Sequence, residues 1–407
     1  MTTQTFDSLE LQDTTLAAVQ SAGYSVPTEI QHRTIPEILA GSDVLATAQT
    51  GTGKTAAFVL PMLERIEPAE RKKGAAAPSA LILTPTRELA VQIQDSIRVY
   101  GKNSRLRSVA LFGGASRNRQ IGELRSHPDI VVATPGRLLD LISDGYLGLK
   151  QVSYLVLDEA DRMLDMGFIP DVRKIVAKVP SERQTLLFSA TMPSDIQALA
   201  RDFLRNPARI EAEAGELNIE RIAQSVMHVD QGDKLELLPK LIRERRMFRV
   251  LVFTRTKHRA SKVSKVLGRQ NLSSDAIHGD KSQAARTRAL DAFKSGKIQV
   301  LVATDVASRG IDVDDITHVV NFELPNEPET YVHRIGRTAR AGAAGNAISF
   351  CDTTEMPYVR NIERLMGLTL AVDTEQPFHQ ERRQTRRRGG PARSGRPSQN
   401  RRHSRKR

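Results

Sequence analysis

Residues 48–55 read Ala-Gln-Thr-Gly-Thr-Gly-Lys-Thr, between an apolar run at 44–46 and a helix-forming segment at 56–60. Glycines let backbone N–H groups turn toward an anion, and the helix that follows favours negative charge at its N-terminus. In a phosphate-binding loop of this type the lysine reaches the β- and γ-phosphates, and the following hydroxyl binds magnesium. The residues that we predict to hold a nucleoside triphosphate here are Ala48, Gln49, Thr50, Gly51, Thr52, Gly53, Lys54 and Thr55.

A pair of carboxylates further along the chain supplies the second half of such a site. Asp158 and Glu159 directly follow the apolar run 154–157, which is typical of a strand, and open α/β sheets bind ligands at the carboxyl ends of their strands. Asp158 is then placed to hold Mg²⁺ together with Thr55, through water, and Glu159 to orient and deprotonate the attacking water. Alone, the pair could equally open a helix, whose first turn favours acidic residues. With the loop upstream, it predicts nucleotide hydrolysis.

The letters Asp158-Glu159-Ala160-Asp161 also carry a resemblance that covers residues 6–352. The chain resembles the DEAD-box RNA helicases in a dozen motifs that follow the order of that family. Besides the loop at 48–55 and the acidic motif at 158–161, they include 23–31 (GYSVPTEIQ, with Phe6 upstream), 85–90 (PTRELA), 113–114 (GG), 134–137 (TPGR), 189–191 (SAT), 252–256 (VFTRT), 283–286 (QAAR), 303–312 (ATDVASRGID) and 331–340 (YVHRIGRTAR). Ala48 is the usual residue of the family at its position, whereas Ala339 stands where the family most often has glycine. With its Arg-rich C-terminus, the chain is most similar to the bacterial RhlE-type subgroup.

The resemblance implies an α/β fold of two tandem RecA-like domains, each a mostly parallel sheet with helices on both faces. The hydrophobic pattern agrees, because near-continuous apolar runs of strand length alternate with helix-length segments in both halves. Only the first half has a phosphate loop, and a polar stretch at 205–218 interrupts the series. We predict an N-terminal domain at 1–207, a linker at 208–218, a C-terminal domain at 219–370 and an Arg-rich disordered tail at 371–407.

By resemblance, the cofactors are ATP and Mg²⁺, and both halves contribute to the nucleotide site. Gln31 is expected to read adenine, because a primary amide can accept from N6 and donate to N7, and Phe6 is expected to stack on the ring. Asp312 is expected to contact the nucleotide. Arg337 and Arg340 are expected to act as arginine fingers on the γ-phosphate when the domains close, on one face if their segment is helical. The residues expected to couple hydrolysis to unwinding are Ser189, Thr191, Asp161 and His333, the first two through hydrogen bonds to the 158–161 loop.

RNA is the implied partner, bound along its backbone by both halves. Backbone amides and Arg or Thr side chains suit phosphate and 2′-hydroxyl groups. The matching residues are Pro85, Thr86, Arg87, Gly114, Thr134, Pro135, Gly136, Arg137, Arg255, Gly279, Arg286, Thr304 and Asp305. The sequence thus predicts an ATP-dependent RNA helicase that separates short duplexes without regard to sequence. The alternatives are an RNA chaperone that acts mainly through its basic tail and a DNA-directed ATPase, which stimulation by RNA or by DNA would separate.

Most of the net charge of +13 lies at the C-terminus. Residues 381–407 contain twelve Arg or Lys residues and a single acidic residue, which leaves the 380 residues before them nearly neutral. A segment of this composition cannot bury a core. We predict an arm that binds RNA phosphates, with a merely solubilising role as the alternative.

Composition argues against several other classes of protein. No apolar run reaches the length of a membrane-spanning helix, and residues 1–20 lack a basic region followed by a long apolar run, so we expect a cytoplasmic protein without a membrane partner. Cys351 is the sole cysteine, which excludes an internal disulfide, and the nine histidines lack metal-ligand spacing. Ribosomal or RNA-decay proteins are the candidate protein partners, and the sequence does not determine an oligomeric state.

Overall fold

The computed structural model describes residues 5–48, 51–68, 74–212, 221–305, 313, 315–339 and 344–379. Four of the predicted site residues lie outside the described residues, namely Gln49, Thr50, Asp312 and Arg340. The greater part of the predicted linker and the basic tail at 381–407 also lie outside them.

The first domain is built around a sheet of seven parallel strands within the described residues. The strands are β1 Val44–Thr47, β2 Ala80–Leu83, β3 Ser108–Leu111, β4 Ile130–Ala133, β5 Tyr154–Leu157, β6 Gln184–Ser189 and β7 Ala208–Glu211. After a 3₁₀ turn at Phe6–Leu9, the helices are α1 Asp13–Ser21, α2 Glu29–Leu39, α3 Lys54–Arg65, α4 Arg87–Tyr100, α5 Arg117–Leu124, α6 Pro135–Ser143, α7 Ala160–Asp165, α8 Ile169–Val176 and α9 Ser194–Phe203. The order across the sheet is β3-β4-β2-β5-β6-β1-β7.

Both faces of this sheet are buried, which explains its continuous apolar strands. Along β2, Leu81 and Leu83 pack into one core with helices α6, α8 and α9. Ala80 and Ile82 pack into a second core with helices α2, α3 and α4. Because successive side chains of a strand point to opposite faces, a strand covered on both sides needs an apolar residue at every position. The predicted covering of the sheet by helices on both faces is confirmed.

The second domain repeats this architecture with another seven-stranded sheet, in the order β10-β11-β9-β12-β13-β8-β14. Its strands are β8 Ile222–His228, β9 Val250–Thr254, β10 Ser274–Ile277, β11 Val300–Thr304, β12 His318–Asn321, β13 Gly345–Cys351 and β14 Ala371–Val372. Its helices are α10 Lys234–Glu244, α11 Lys257–Arg269, α12 Gln283–Lys294, α13 Pro328–Ile335 and α14 Met356–Met366. Neighbouring strands are parallel here too.

Two short edge strands correct the predicted boundaries. Strand β7 pairs with β1, so residues 208–211 belong to the first sheet and not to the linker. Strand β14 pairs with β8, so 371–372 belong to the second sheet and not to the tail, and Phe378 still packs against the core of that domain. Both strands are largely exposed, so they lack the apolar run by which the interior strands were recognised.

Parallel strands bring the loops that follow them to one edge of each sheet. In the first domain the strand order divides this edge into two halves. The loops after β5, β6 and β1 are neighbours and carry predicted nucleotide and coupling residues, whereas the loops after β3, β4 and β2 carry the predicted RNA residues. The topology therefore places the two predicted sites side by side.

Candidate functional site

The phosphate loop passes from β1 into the start of α3. Gly51 and Gly53 both have φ of 90°, a left-handed backbone that glycine adopts without a steric cost. Helix α3 begins at Lys54, so its free N–H groups face the loop, as an anion site requires. The Nζ atom of Lys54 donates to the carbonyl oxygen of Ala48 at 2.8 Å, which holds the buried lysine across the loop.

A cavity of about 360 Å³ lies against this loop. Most of the predicted nucleotide residues within the described ranges line it, namely Phe6, Gln31, Gly51, Gly53, Lys54, Thr55, Asp158, Glu159 and Arg337. Tyr24, Val26 and Tyr100 also line it, although no role was predicted for them. Because Arg337 belongs to the second domain and the others to the first, the two domains meet at this cavity.

Gln31 connects the start of α2 to the phosphate loop. Its Oε1 atom accepts from the N–H of Thr28 at 3.0 Å, and its Nε2 atom donates to the carbonyl oxygen of Gly53 at 3.1 Å. A methyl group on Gly53 would lie 2.4 Å from Nε2, so this position also needs glycine for space. The amide keeps one further acceptor position and one further N–H, which leaves it able to pair with a base.

The acidic pair lies at the carboxyl end of β5, as predicted, and both side chains are buried. Burial raises the pKa of Asp158 to about 7. The charge of Glu159 also raises this pKa, whereas the nearby charge of Lys54 lowers it. A divalent cation would favour the ionised carboxylate, because a bound ion is the largest charge in such a site. Thr55 at the first turn of α3 and Asp158 therefore fit a magnesium site in the chemistry of their oxygen atoms.

Glu159 is fixed by a contact that was not predicted. Its Oε2 atom accepts from the guanidinium of Arg162 at 2.5 Å, and the two side chains are only 5% and 4% exposed. Glu159 has φ of 53° and immediately precedes α7, so Arg162 lies one helical turn away on the same face. In the sequence, the signal for this pair was the spacing of three residues between Glu159 and Arg162. It indicates such a pair only once the short helix is known.

Asp161 joins α7 to the segment that follows β6. Its Oδ2 atom accepts from the N–H of Thr191 at 2.9 Å, from the Thr191 hydroxyl at 3.1 Å and from the N–H of Ala190 at 3.1 Å. The N–H of Asp161 donates to the Ser189 hydroxyl at 3.2 Å. The hydrogen bonds expected between 189–191 and the acidic loop are thus present, and they converge on Asp161.

The finger segment of the second domain is not helical at Arg337, and Arg340 lies outside the described residues. Helix α13 ends at Ile335, so the helical spacing invoked for Arg337 and Arg340 does not hold. Ala339 has φ of 57°, a left-handed backbone that costs an L-residue roughly 1–2 kcal/mol. That conformation explains why glycine is the usual residue of the family at this position. Arg337 is 4% exposed and also lines a small pocket with His333.

The predicted RNA edge of the first domain is assembled around one glycine. Gly114 has φ of 81°, and a methyl group there would lie 2.0 Å from the guanidinium of Arg87. Arg137 approaches the same loop and donates to the side chain of Gln120 at 2.8 Å. Arg87 and Arg137 are half-buried and Gly114 is exposed, which leaves them accessible, whereas the flanking residues Pro85, Thr86, Thr134 and Pro135 are buried.

At the predicted RNA edge of the second domain, the charged residues Arg255 and Asp305 form ion pairs with residues of their own domain. Arg255 forms an ion pair with Glu355, and its guanidinium lies 5.4 Å from the ring centre of Tyr358. Both oxygens of Asp305 accept from the buried Arg334, at 2.6 and 2.8 Å. Gly279 is exposed at the same edge. Neither Glu355 nor Arg334 was predicted, because each acts through a partner that is distant in sequence.

A buried ion pair links the two domains. The Glu88 carboxylate, on α4, accepts from Arg286 of α12 at 2.9 Å and from Gln283 at 3.1 Å. The side chains of Glu88 and Arg286 are 8% and 7% exposed. Arg286 was predicted to contact RNA, but in this arrangement its guanidinium faces the other domain. Glu88 was not predicted at all.

Within the described ranges, no helix is long and apolar enough to cross a membrane. The same residues contain no cluster of three or more His, Cys, Asp or Glu side chains that could hold a metal ion.

Comparisons with known proteins match this geometry. The family model for DEAD/DEAH box helicases matches residues 28–199, and that for the helicase conserved C-terminal domain matches 233–342. The DEAD-box ATP-dependent RNA helicase CshA of Bacillus cereus is 45% identical over 360 residues, which span 88% of this chain and 68% of the relative. Dbp5 of S. cerevisiae, bound to RNA and ADP BeF3, superposes with a TM-score of 0.80 at 32% identity over 90% of this chain and 95% of that one. A DEAD box protein of Methanococcus jannaschii is 42% identical but superposes with a TM-score of 0.51, over 91% and 99%.

We predict that Arg162→Met lowers the free energy of unfolding by about 3–5 kcal/mol, because it leaves the buried carboxylate of Glu159 unpaired. The double variant Arg162→Met/Glu159→Gln should be less destabilised than the sum of the two single changes. Urea unfolding of the full chain measures all three. Arg98→Met, at the exposed Arg98–Asp95 pair, is the control and should change stability by no more than about 1 kcal/mol. Additive single effects would show that the buried pair makes no coupled contribution.

Proposed function

The chain belongs to the DEAD-box family of ATP-dependent RNA helicases, and from that premise we propose that its two domains form one hydrolytic site by closing on each other. The observation that carries the proposal is the position of Arg337, which lines the same cavity as Lys54, Asp158 and Glu159 although it belongs to the other domain. An arginine that arrives only on closure makes hydrolysis conditional on the closed state.

The phosphates would lie at the N-terminus of α3, between the loop glycines and Lys54. Lys54 now donates to the backbone of the loop and would exchange this carbonyl for the β- and γ-phosphate oxygens. Thr55 and Asp158 would hold Mg²⁺, Asp158 through water, and the ion would neutralise charge that develops on the phosphates. Arg337 would stabilise the same charge from the opposite side, and Arg340 and Asp312 remain proposed on the resemblance.

Glu159 would orient the attacking water and take its proton. The ion pair with Arg162 fixes the direction of its carboxylate, which a general base requires. Arg162 also lines the small inter-domain pocket with His333 and Arg337, so the residue that holds the base lies at the closing face. Closure can therefore adjust the position of the base as well as deliver the finger.

Adenine would occupy the end of the cavity formed by Gln31 and Phe6. The free acceptor position and N–H of the Gln31 amide match N6 and N7 of adenine, and guanine cannot offer the same pair. Since the same amide also holds Gly53, the residue that reads the base contacts the loop that binds the phosphates. Base recognition and phosphate binding would then be coupled within one side chain.

RNA would lie along the two carboxyl edges, across Arg87, Gly114 and Arg137 of the first domain and Arg255 and Gly279 of the second. The overall arrangement superposes better on the RNA- and nucleotide-bound Dbp5 than on the M. jannaschii protein, although the latter is more similar in sequence. This supports the closed arrangement as the one that binds both ligands. The residues Asp305 and Arg286 would act there through Arg334 and Glu88.

We propose further that the basic tail at 381–407 binds RNA that flanks the core. Three points stay predictions from the sequence: the RhlE-type assignment, a cytoplasmic location, and ribosomal or RNA-decay protein partners. The Bacillus relative named above is called CshA, so it does not test the RhlE-type assignment.

We expect Glu159→Gln to retain ATP binding and to lower RNA-stimulated turnover by roughly 10²–10⁴, the usual contribution of a positioned base. The variant should accumulate in a closed complex with ATP and RNA, which a pull-down on immobilised RNA detects. Glu182→Gln, whose side chain is 92% exposed in the same domain, is the control and should leave turnover unchanged. Near-wild-type turnover in Glu159→Gln, or stimulation by DNA as strong as by RNA, would refute the proposed function.

Deleting 381–407 should leave the nucleotide chemistry intact and raise the RNA concentration needed for stimulation. Each phosphate that the protein no longer neutralises changes the slope of log K against log salt by roughly 0.7 for a single strand. We expect the slope to fall by the equivalent of several phosphates. A tail of equal length with its Arg and Lys residues replaced by Gln is the control for length, and it should behave like the deletion. Equal slopes of log K against log salt for the full-length and truncated proteins would exclude an RNA-binding role for the tail.

A further inference from the structure

Phe248 is presented to solvent on the side of the second domain opposite the RNA edge. The residue is 61% exposed, the largest value among the exposed large hydrophobic residues that the structure describes, and it is the sole one of that set within 221–305. Its backbone is fixed, because the buried Met247 and Val250 flank it and its carbonyl oxygen accepts from the Thr317 hydroxyl. The fold therefore holds this ring in water.

Three basic residues lie near Phe248, two of them within two positions along the chain and the third on a neighbouring loop. Arg246 and Arg249 flank Phe248 in sequence, and the guanidinium of Arg249 lies about 4.0 Å from where a Cβ on Gly296 would be, next to Lys297. Within the described residues, none of the three forms an ion pair or a side-chain hydrogen bond. The neighbouring Arg245, by contrast, pairs with Asp373 at 2.7 Å. Arg246 and Arg249 also have φ of 48° and 52°, an unfavourable backbone for L-residues.

The end of the described chain lies next to this surface. Arg245, which precedes the group, contacts Asp373 and also donates to the carbonyl oxygen of Glu375. Lys240 lies 4.8 Å from the ring centre of Phe378. The end of the described chain therefore lies against α10 and Arg245, directly before Arg246 in the sequence.

We propose that Phe248, Arg246, Arg249 and Lys297 form a second binding surface for single-stranded RNA, the Phe248 surface, which takes the strand after it leaves the groove between the domains. A base stacks on the exposed ring and the cations contact adjacent phosphates, the combination that binds single strands without sequence preference. Phe248 precedes β9 and Arg255 follows it, so about 17 Å of strand separates this surface from the RNA edge. The inference rests on the proposed RNA groove and extends it.

The chemistry favours RNA over a protein partner. Protein interfaces bury a contiguous apolar area, whereas here a single exposed aromatic ring lies between two arginines of the same chain segment. A polyanion with flat bases complements both features at once. The same reasoning excludes the basic tail as the occupant, since its charge would be repelled.

The test compares two single-stranded RNAs, one just long enough to fill the inter-domain groove and one extended at either end. We expect Phe248→Ala to weaken binding of the extended RNA by about fivefold or more, the usual effect of removing one stacked base, and to leave binding of the short RNA unchanged. The double variant Arg246→Gln/Arg249→Gln should reduce the salt slope for the extended RNA alone, by roughly 0.7 for each phosphate that is no longer neutralised. ATPase stimulated by the short RNA should be normal in both.

Two variants of exposed residues on α14 are the matched controls, Leu365→Ala for the ring and Arg360→Gln for the charges. Equal binding of the extended RNA by Phe248→Ala and wild type would overturn the proposal, as would loss of a protein association with no change in RNA binding. If short RNA failed to stimulate the wild-type ATPase, the proposed function itself would fail. That outcome is distinct, because it does not depend on Phe248.

Discussion

The buried ion pair between Glu88 and Arg286 is one contact that joins the two domains, and its energetics suit an interface that we propose opens and closes. Both charges lose their hydration on closing, and the attraction between them roughly offsets that loss. The pair then stabilises the closed state little. It does exclude closed geometries in which each charge would be buried without its partner, because an unpaired buried charge is costly. Nucleotide and RNA, which we propose contact both domains, can therefore decide the balance between open and closed.

Helix α7 and the residue before it carry three functions in a very short segment. Glu159 is the proposed base, Asp161 holds the backbone that follows β6, and Arg162 holds Glu159 and faces the other domain. Because Asp161 binds the loop after β6, a shift of that loop can reach Glu159 through α7. We propose that this contact takes part in coupling RNA binding to hydrolysis.

The sequence predicted what is encoded locally. The interior strands were recognisable because burial on both faces requires apolar residues throughout, and the phosphate loop because its backbone requires glycine. The partners Glu88, Arg334 and Glu355 were not recognisable, since each gains its role from a residue brought near by the tertiary fold. Arg162 was close in sequence to Glu159 but needed the bounds of α7. Strands β7 and β14 were not predicted, because an edge strand does not need a continuous apolar run.

The most direct test of this account is the distance between the domains, measured by energy transfer between dyes on cysteines introduced at the exposed positions Glu182 and Arg360. The native Cys351 is buried and should not be labelled. The account predicts a short distance for wild type with ATP and RNA, and a shift toward the open state by roughly a hundredfold or more for Glu88→Gln, which leaves Arg286 without its buried partner. A closed fraction equal to that of wild type in Glu88→Gln would contradict it.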